Sequence, residues 1–304
     1  MTSFLHFCAA FSIGLLSVPA EAQALFTARD LTAEKLFTGN IEGPMTDKNG
    51  VLHVVNFQRD GTVGIVDPNG KCSLYVTLPA GSIANAIQFN RQGTMFLADF
   101  GAHNILKINP QTKQISVHCH RDDFSQPNDI AIDRNGRLFA SDPDWKAGTG
   151  KIWRIDADGK AVVLDSVMGT ANGIELSPDE ETLYVNESIQ RKIWQYAVDA
   201  QGKISGKRLF TEFADGGLDG MKCDAAGNLY VTRWGTGTVA VFSPSGRLVR
   251  EIRLKGKNVS NLAFGGKDGK TVVVTLQDRG CLETFRVDVP GKGFAMAGKP
   301  RKKR

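Results

Sequence analysis

The chain has 304 residues, 41% hydrophobic and 23% charged. These are globular proportions that exclude wholesale disorder and allow one large domain or two ordinary ones. The formal charge of +5 is concentrated in the last six residues, KPRKKR from Lys299; with those five cations and Glu21 of the leader set aside, 32 basic residues face 31 acidic ones, a near-neutral body that argues against a nucleic-acid-binding surface.

Residues 1–24 read MTSFLHFCAAFSIGLLSVPAEAQA. The apolar stretch from Phe4 to Val18 is too short to span a bilayer and fits a signal-peptide core, and Ala20-Glu21-Ala22 and Ala22-Gln23-Ala24 offer the small-x-small pattern of a cleavage site. A signal peptide over 1–24 is therefore expected, with an exported product, periplasmic or secreted, and no membrane span. Cys8 leaves with the leader. Cys72, Cys119, Cys223 and Cys281 match no zinc spacing and are too scattered for a disulfide framework. His118-Cys119-His120 reads as an alternating strand whose Cys points away from the two His, not as a metal site.

From Glu42 onward the chain repeats itself. The segments EGPMTDKNGVLHVV (from Glu42), NAIQFNRQGTMFLA (Asn85), NDIAIDRNGRLFAS (Asn128), NGIELSPDEETLYV (Asn172), DGMKCDAAGNLYVT (Asp219) and NLAFGGKDGKTVVV (Asn261) start 43, 43, 44, 47 and 42 residues apart. Each has a polar first residue, a short alternating strand, a turn and a second apolar strand. Gly50, Gly93, Gly136, Gly227 and Gly269 all fall eight residues after their starts. A further strand pair follows each copy, as in GTVGIVDPNG from Gly61, GKIWRIDADG from Gly150 and GTVAVFSPSG from Gly237, with Pro and Gly presetting the turns. Four short strands in about 43 residues is the size of a propeller blade. The expected fold is all-β: one six-bladed β-propeller over 25–297, four antiparallel strands per blade, then a basic flexible tail over 298–304. A strand near Glu34–Phe37 is expected to complete the last blade and close the ring. Trp153, Trp194 and Trp234 read as core or inter-blade packing.

The first residue of each copy opens the innermost strand, so Glu42, Asn85, Asn128, Asn172, Asp219 and Asn261 converge at one mouth of the central channel. Two carboxylates facing each other there would repel unless a cation compensates them. Hard divalent cations want several oxygen ligands of mixed carboxylate and amide character, which makes Ca2+ the first choice ahead of Mg2+, Mn2+ and Zn2+; no His or Cys belongs to the ring. Hydrogen bonding of the inter-blade loops is the structural alternative, and it explains Asn85 and Asn261 well. About 14 residues further on, each second strand returns to the same mouth at Asn56, Asp99, Asp142, Glu187 and Arg233. These form either a substrate funnel, with Asp99 and Asp142 open to a second cation or proton transfer and Arg233 to an anionic or carbonyl group, or a set of solvated loop charges.

These residues resemble the SMP-30/gluconolactonase/luciferin-regenerating family of six-bladed propellers. The carrying motifs are IEGP at 41–44, QPNDIAID at 126–133, ANGIELSPDEETLYV at 171–185 and LDGMKCDAAGNLYVT at 218–232, supported by RWGTGTVAVFSPSG at 233–246 and SNLAFGG at 260–266. The resemblance implies a divalent metal, commonly calcium, held by Glu42, Asn172 and Asp219, with Asn128 as fourth ligand or substrate contact. It implies hydrolysis of a lactone or related ester, the metal acting as Lewis acid and Asp219 as general base; diisopropylfluorophosphatase-like members use the equivalent Asp as nucleophile on phosphorus. Gln126 stands where the animal sugar-lactone members carry Arg, while Ser-Asp-Pro at 141–143 is similar to microbial gluconolactonases. The expected function is thus an exported, monomeric, metal-dependent lactonase or esterase with a small-molecule substrate met by Asn128, Gln126, Asp142, Asp99 and Arg233. The alternatives are an organophosphate or aryl-ester hydrolase on the same site and a non-catalytic ligand-binding propeller.

Overall fold

A computed structural model describes residues 24–296. Nearly all of the expected leader, with Cys8, and the whole of the expected basic tail lie outside the described residues. The chain forms six four-stranded antiparallel sheets, the six-bladed propeller that the repeat predicts. Their innermost strands are Phe37–Thr46, Ala84–Phe89, Ile130–Ile132, Ala171–Leu176, Gly217–Cys223 and Val259–Gly265, which open blades 1 to 6. Within each blade the inner strands are buried on both faces and the outermost is exposed, as in Leu248–Arg253 of blade 5.

The core is split among the blade interfaces. One apolar cluster joins Ala86, Phe96 and Ile105 of blade 2 to Ile130, Leu138 and Trp153 of blade 3. Five more sit in the remaining interfaces, the last joining Val273 and Leu282 of blade 6 to Ile41 and Val54 of blade 1. Because each sheet packs a neighbour on either face, the middle strands carry near-continuous apolar runs, as at Val272–Val273–Val274.

The turn glycines of the repeat have a conformational reason. Gly50, Gly93, Gly136, Gly227 and Gly269 all have φ between 70 and 89°, the left-handed region that costs glycine least. In copy four Glu180 takes the same place at φ 66°. Ring closure differs from the expectation. Phe37 belongs to blade 1, and blade 6 is completed by Arg29–Asp30, which pairs with Cys281–Arg286 through Arg29–Thr284 and Asp30–Glu283. Arg279 latches this strap by ion pairs of 2.8 Å to both Asp30 and Glu34. Glu34 therefore serves closure as a charge, not as part of a strand.

No disulfide links Cys72, Cys119, Cys223 and Cys281. On the outer strand Ile115–His120, Cys119 is buried and His120 exposed, the alternation expected of a plain strand.

Candidate metal centre at the channel mouth

The ring residues sit on built irregularities of their strands. In blades 4, 5 and 6 the pairing between first and second strands skips one residue at the ring position, as between Ala171–Glu187 and Ile174–Val185 or between Leu218–Arg233 and Met221–Val231. Blade 2 skips at Asn85 in the same way. A bulge leaves a residue out of the ladder and re-aims its side chain; Asn85, Asn172, Asp219 and Asn261 lie in the skipped steps, while Glu42 stays paired with Val55 between two register shifts.

Glycine behind the ring residue keeps the throat narrow. A Cβ on Gly173 would lie 2.2 Å from the Asp219 carbonyl oxygen and 2.6 Å from Asn186 Nδ2. One on Gly220 would fall 2.1 Å from Asn261 Oδ1. The Asn-Gly and Asp-Gly dipeptides of copies four and five thus let each blade's ring residue press against the next blade. Hydrogen bonds tie the same level together: Asn186 Nδ2 donates to the Asp219 carbonyl (2.6 Å), Thr232 Oγ1 to Ser260 (2.9 Å), and Ser260 Oγ to Ile41 (2.8 Å).

Glu42, Asn172, Asp219 and Asn261 come together with Asp129, all of them buried. The Glu42 and Asp219 carboxyls lie beside each other, with Asn172 next to Asp219 and Asn261 next to both Glu42 and Asp129. Gly43 N–H also donates to Glu42 Oε2 at 2.9 Å. Burial, with the Asp129 charge adding to it, pushes Glu42 up to about 8. Burial and the neighbouring Glu42 and Asp129 charges hold Asp219 well above the usual carboxylate range. Burial also raises Asp129. Three acids in one dry throat can all be ionised only beside compensating positive charge.

Three oxygens of the throat are available to such a charge. Asn128 Oδ1, Asn172 Oδ1 and Asp129 Oδ2 are buried without any hydrogen-bond partner, a rare condition in a folded protein that points to a missing partner. Asn261 is different: its Oδ1 accepts from Leu262 N–H at 2.8 Å, so it braces the ring. Among the described residues no three His, Cys, Asp or Glu side chains form a metal-holding group, so the amide oxygens are needed to complete a donor set. A hard divalent cation fits the residues present.

The second circle is built for another purpose. Asp99 Oδ1 accepts from the N–H of Ile83 (2.9 Å) and Ala102 (3.2 Å), and its Oδ2 from Asn104 (3.2 Å). Asp142 accepts from the N–H of Ser125 (2.9 Å) and Gln126 (2.6 Å) and from Trp153 Nε1 (2.9 Å). Arg233 bonds Asp215 at 2.6 Å and lies over the Phe213 ring at 3.8 Å. These three are buried, not solvated, and their bonds brace the loops of the mouth, with Arg233 Nε left without a partner. Asn56 likewise bonds the carbonyls of Asn40 and Ala84. Gln126 is fixed at the mouth by its backbone bond to Asp142.

Three charged residues of the throat escape the repeat-based reading. Asp129 follows Asn128 and is masked by it as the second half of an Asn-Asp pair. Glu175 and Lys222 each stand three residues past a ring residue and are buried; a charge where the blade pattern demands an apolar side chain is the signal that finds them. Trp234 also departs from the packing expected of it. It is 42% exposed, flanks Gly217 two residues before Asp219, and donates from Nε1 to Gln277 Oε1 at 2.9 Å. Trp153, 1% exposed, is core as expected.

Fold and throat together define a six-bladed propeller with an acid–amide ring at one end of its channel. Residues 41–278 match the SMP-30/Gluconolactonase/LRE-like region, and the chain belongs to that family. A gluconolactonase of Zymomonas mobilis is 27% identical over 270 residues, covering 77% of this chain and 75% of that one. The diisopropyl-fluorophosphatase of Loligo vulgaris is 26% identical over 283 residues, covering 83% and 90%. Among solved structures, the calcium-binding protein regucalcin from Agrobacterium tumefaciens superposes with a TM-score of 0.75 at 23% identity, covering 89% of this chain and 95% of that one, a likeness of fold.

Proposed function

We propose that this chain is a metal-dependent hydrolase that opens a lactone, with Ca2+ as the cation of its throat. The observation that carries the reading is the meeting of two raised carboxyls, Glu42 and Asp219, with the unpartnered amide oxygens of Asn128 and Asn172. This dianionic, all-oxygen set suits a hard cation and offers zinc none of its preferred ligands. A cation held by Glu42, Asn128, Asn172 and Asp219 supplies Lewis-acid polarisation of the substrate carbonyl. Asp219 takes a proton from water as the water oxygen attacks the acyl carbon. The ring C–O bond then breaks, and the proton passes to the departing oxygen to give the hydroxy acid. Gln126 and Asn128 are the polar contacts of the substrate. The gluconolactonase relative supports a sugar lactone as the first substrate to try. The apolar leader over 1–24 supports export as the setting of this activity.

The test is hydrolysis of glucono-1,5-lactone by the purified chain, followed by proton release, with and without chelator. Loss of turnover on chelation and recovery with calcium are expected, as is a fall of at least about 100-fold in kcat for Asp219→Asn. Turnover and melting temperature that both ignore the chelator overturn the metal-dependent reading, and the absence of any turnover leaves a binding propeller. Hydrolysis of diisopropyl fluorophosphate in place of lactones moves the chemistry to phosphorus, the outcome that the Loligo relative favours.

A further inference from the structure

Below the mouth the channel carries charge of both signs. The bulges leave Glu175 and Lys222 on the same side of their strands as Asn172 and Asp219, two ladder steps lower, roughly 7 Å at about 3.3 Å per residue. Lys222 Nζ lies 3.8 Å from Asp129 Oδ2 and 3.9 Å from Glu175 Oε2, and donates to the Met221 carbonyl at 3.0 Å. Asp129 is 2% and Glu175 1% exposed, so this ammonium stands between two carboxylates that have almost no water.

A second ammonium enters from the opposite face. After blade 6 the chain crosses to the far end of blade 5, where Asp224 pairs with Gly291 and the Pro290 carbonyl accepts from Ala225 N–H at 2.8 Å. The crossing sets Lys292 at the channel floor, donating to Glu175 Oε1 and, at 2.7 Å, to the Leu176 carbonyl. Burial pulls Lys292 down to about 7, and the Glu175 carboxylate is its ion-pair partner.

The charges of the channel then balance in one particular way. Glu42, Asp129, Glu175 and Asp219 bring four negative charges and Lys222 and Lys292 two positive ones, which leaves the deficit that a single divalent cation fills. We infer that the Lys222 ammonium is a fixed counter-ion of the channel, holding by covalent attachment the place where a second divalent cation would otherwise balance Asp129 and Glu175, and so limiting the protein to one exchangeable ion. The residues around it are those of an oxygen site: Asp129 Oδ2, which makes no hydrogen bond, Glu175 Oε2 and the Met221 carbonyl. A buried charge is tolerated only when paired, so removing the ammonium leaves these oxygens in want of a cation. The inference rests on the reading that the mouth ring holds one ion.

Calcium stoichiometry of the full chain by equilibrium dialysis is the test. Wild type and Lys222→Arg are expected to bind one equivalent, and Lys222→Gln, which keeps bulk and adds an amide oxygen, a second and weaker equivalent. One equivalent in wild type and Lys222→Gln alike overturns this inference and spares the mouth site; two in wild type overturns it as well. No calcium in wild type defeats the mouth site and this inference with it. Should Lys222→Gln fail to fold, Lys222→Gln/Glu175→Gln, balanced again for one divalent ion, is expected to fold and bind one; failure of that variant too means that Lys222 is held for packing and refutes the charge argument.

Discussion

Substituting Gly173 by alanine tests the geometry of the throat with one methyl group. The backbone at Gly173 is outside the left-handed region, so alanine brings no conformational strain and the effect is spatial. Its Cβ would sit 2.2 Å from the Asp219 carbonyl oxygen, whereas a comfortable contact needs about 3.5 Å, so the two blades must part by about 1 Å. That movement breaks or lengthens the 2.6 Å bond from Asn186 Nδ2 to the same carbonyl and carries Asp219 away from Glu42. Overpacking of this kind costs about 1–3 kcal/mol of stability, and a misplacement of about 1 Å at a reacting group costs up to about 100-fold in rate. Calcium titration calorimetry, lactone turnover and thermal melting are read on the same preparations, with Gly39→Ala as control because nothing lies within 4 Å of a Cβ there. Calcium affinity and turnover are expected to fall together while the control matches wild type. A Gly173→Ala protein with wild-type affinity and turnover would refute the claim that glycine sets the width of the ring.

Asn172 and Asn261 are expected to separate. Asn172→Ala removes an unpartnered oxygen and should lower calcium affinity by at least tenfold, whereas Asn261→Ala removes a brace and should lower stability more than affinity; equal affinity losses would break the distinction. The metal-free protein is expected to lose stability with rising pH. Glu42 is raised from 4.5 to about 8 by burial, so between those values the folded state keeps a proton that the unfolded chain releases, and stability falls as pH climbs through that window. A melting temperature of the calcium-free protein that rises from about pH 5 to about pH 8 would contradict this assignment, and excess calcium is expected to flatten the slope because it binds the ionised pair.

The architecture is legible in the repeat. A polar residue, an alternating strand and a turn glycine recurring about every 43 residues can bury their apolar faces only by stacking as blades, and the recurrence puts every copy's first residue at one end of the channel. Glu42, Asn172 and Asp219 were therefore legible as neighbours despite lying 130 and 47 residues apart in the chain. The closing strand was not legible, because two residues, Arg29–Asp30, carry no periodicity and are held by Arg279 from the far end of the chain. Nor were the duties of Asp99, Asp142 and Arg233, since whether a charged residue at a strand end faces the mouth or grips a loop depends on which backbone amides come to rest beside it. Asp129, Glu175 and Lys222 acquire their meaning only when three blades set them within ion-pair distance. Local pattern fixes which residues face inward; the charge balance of the channel is a property of the closed ring, because it sums contributions that no single blade contains.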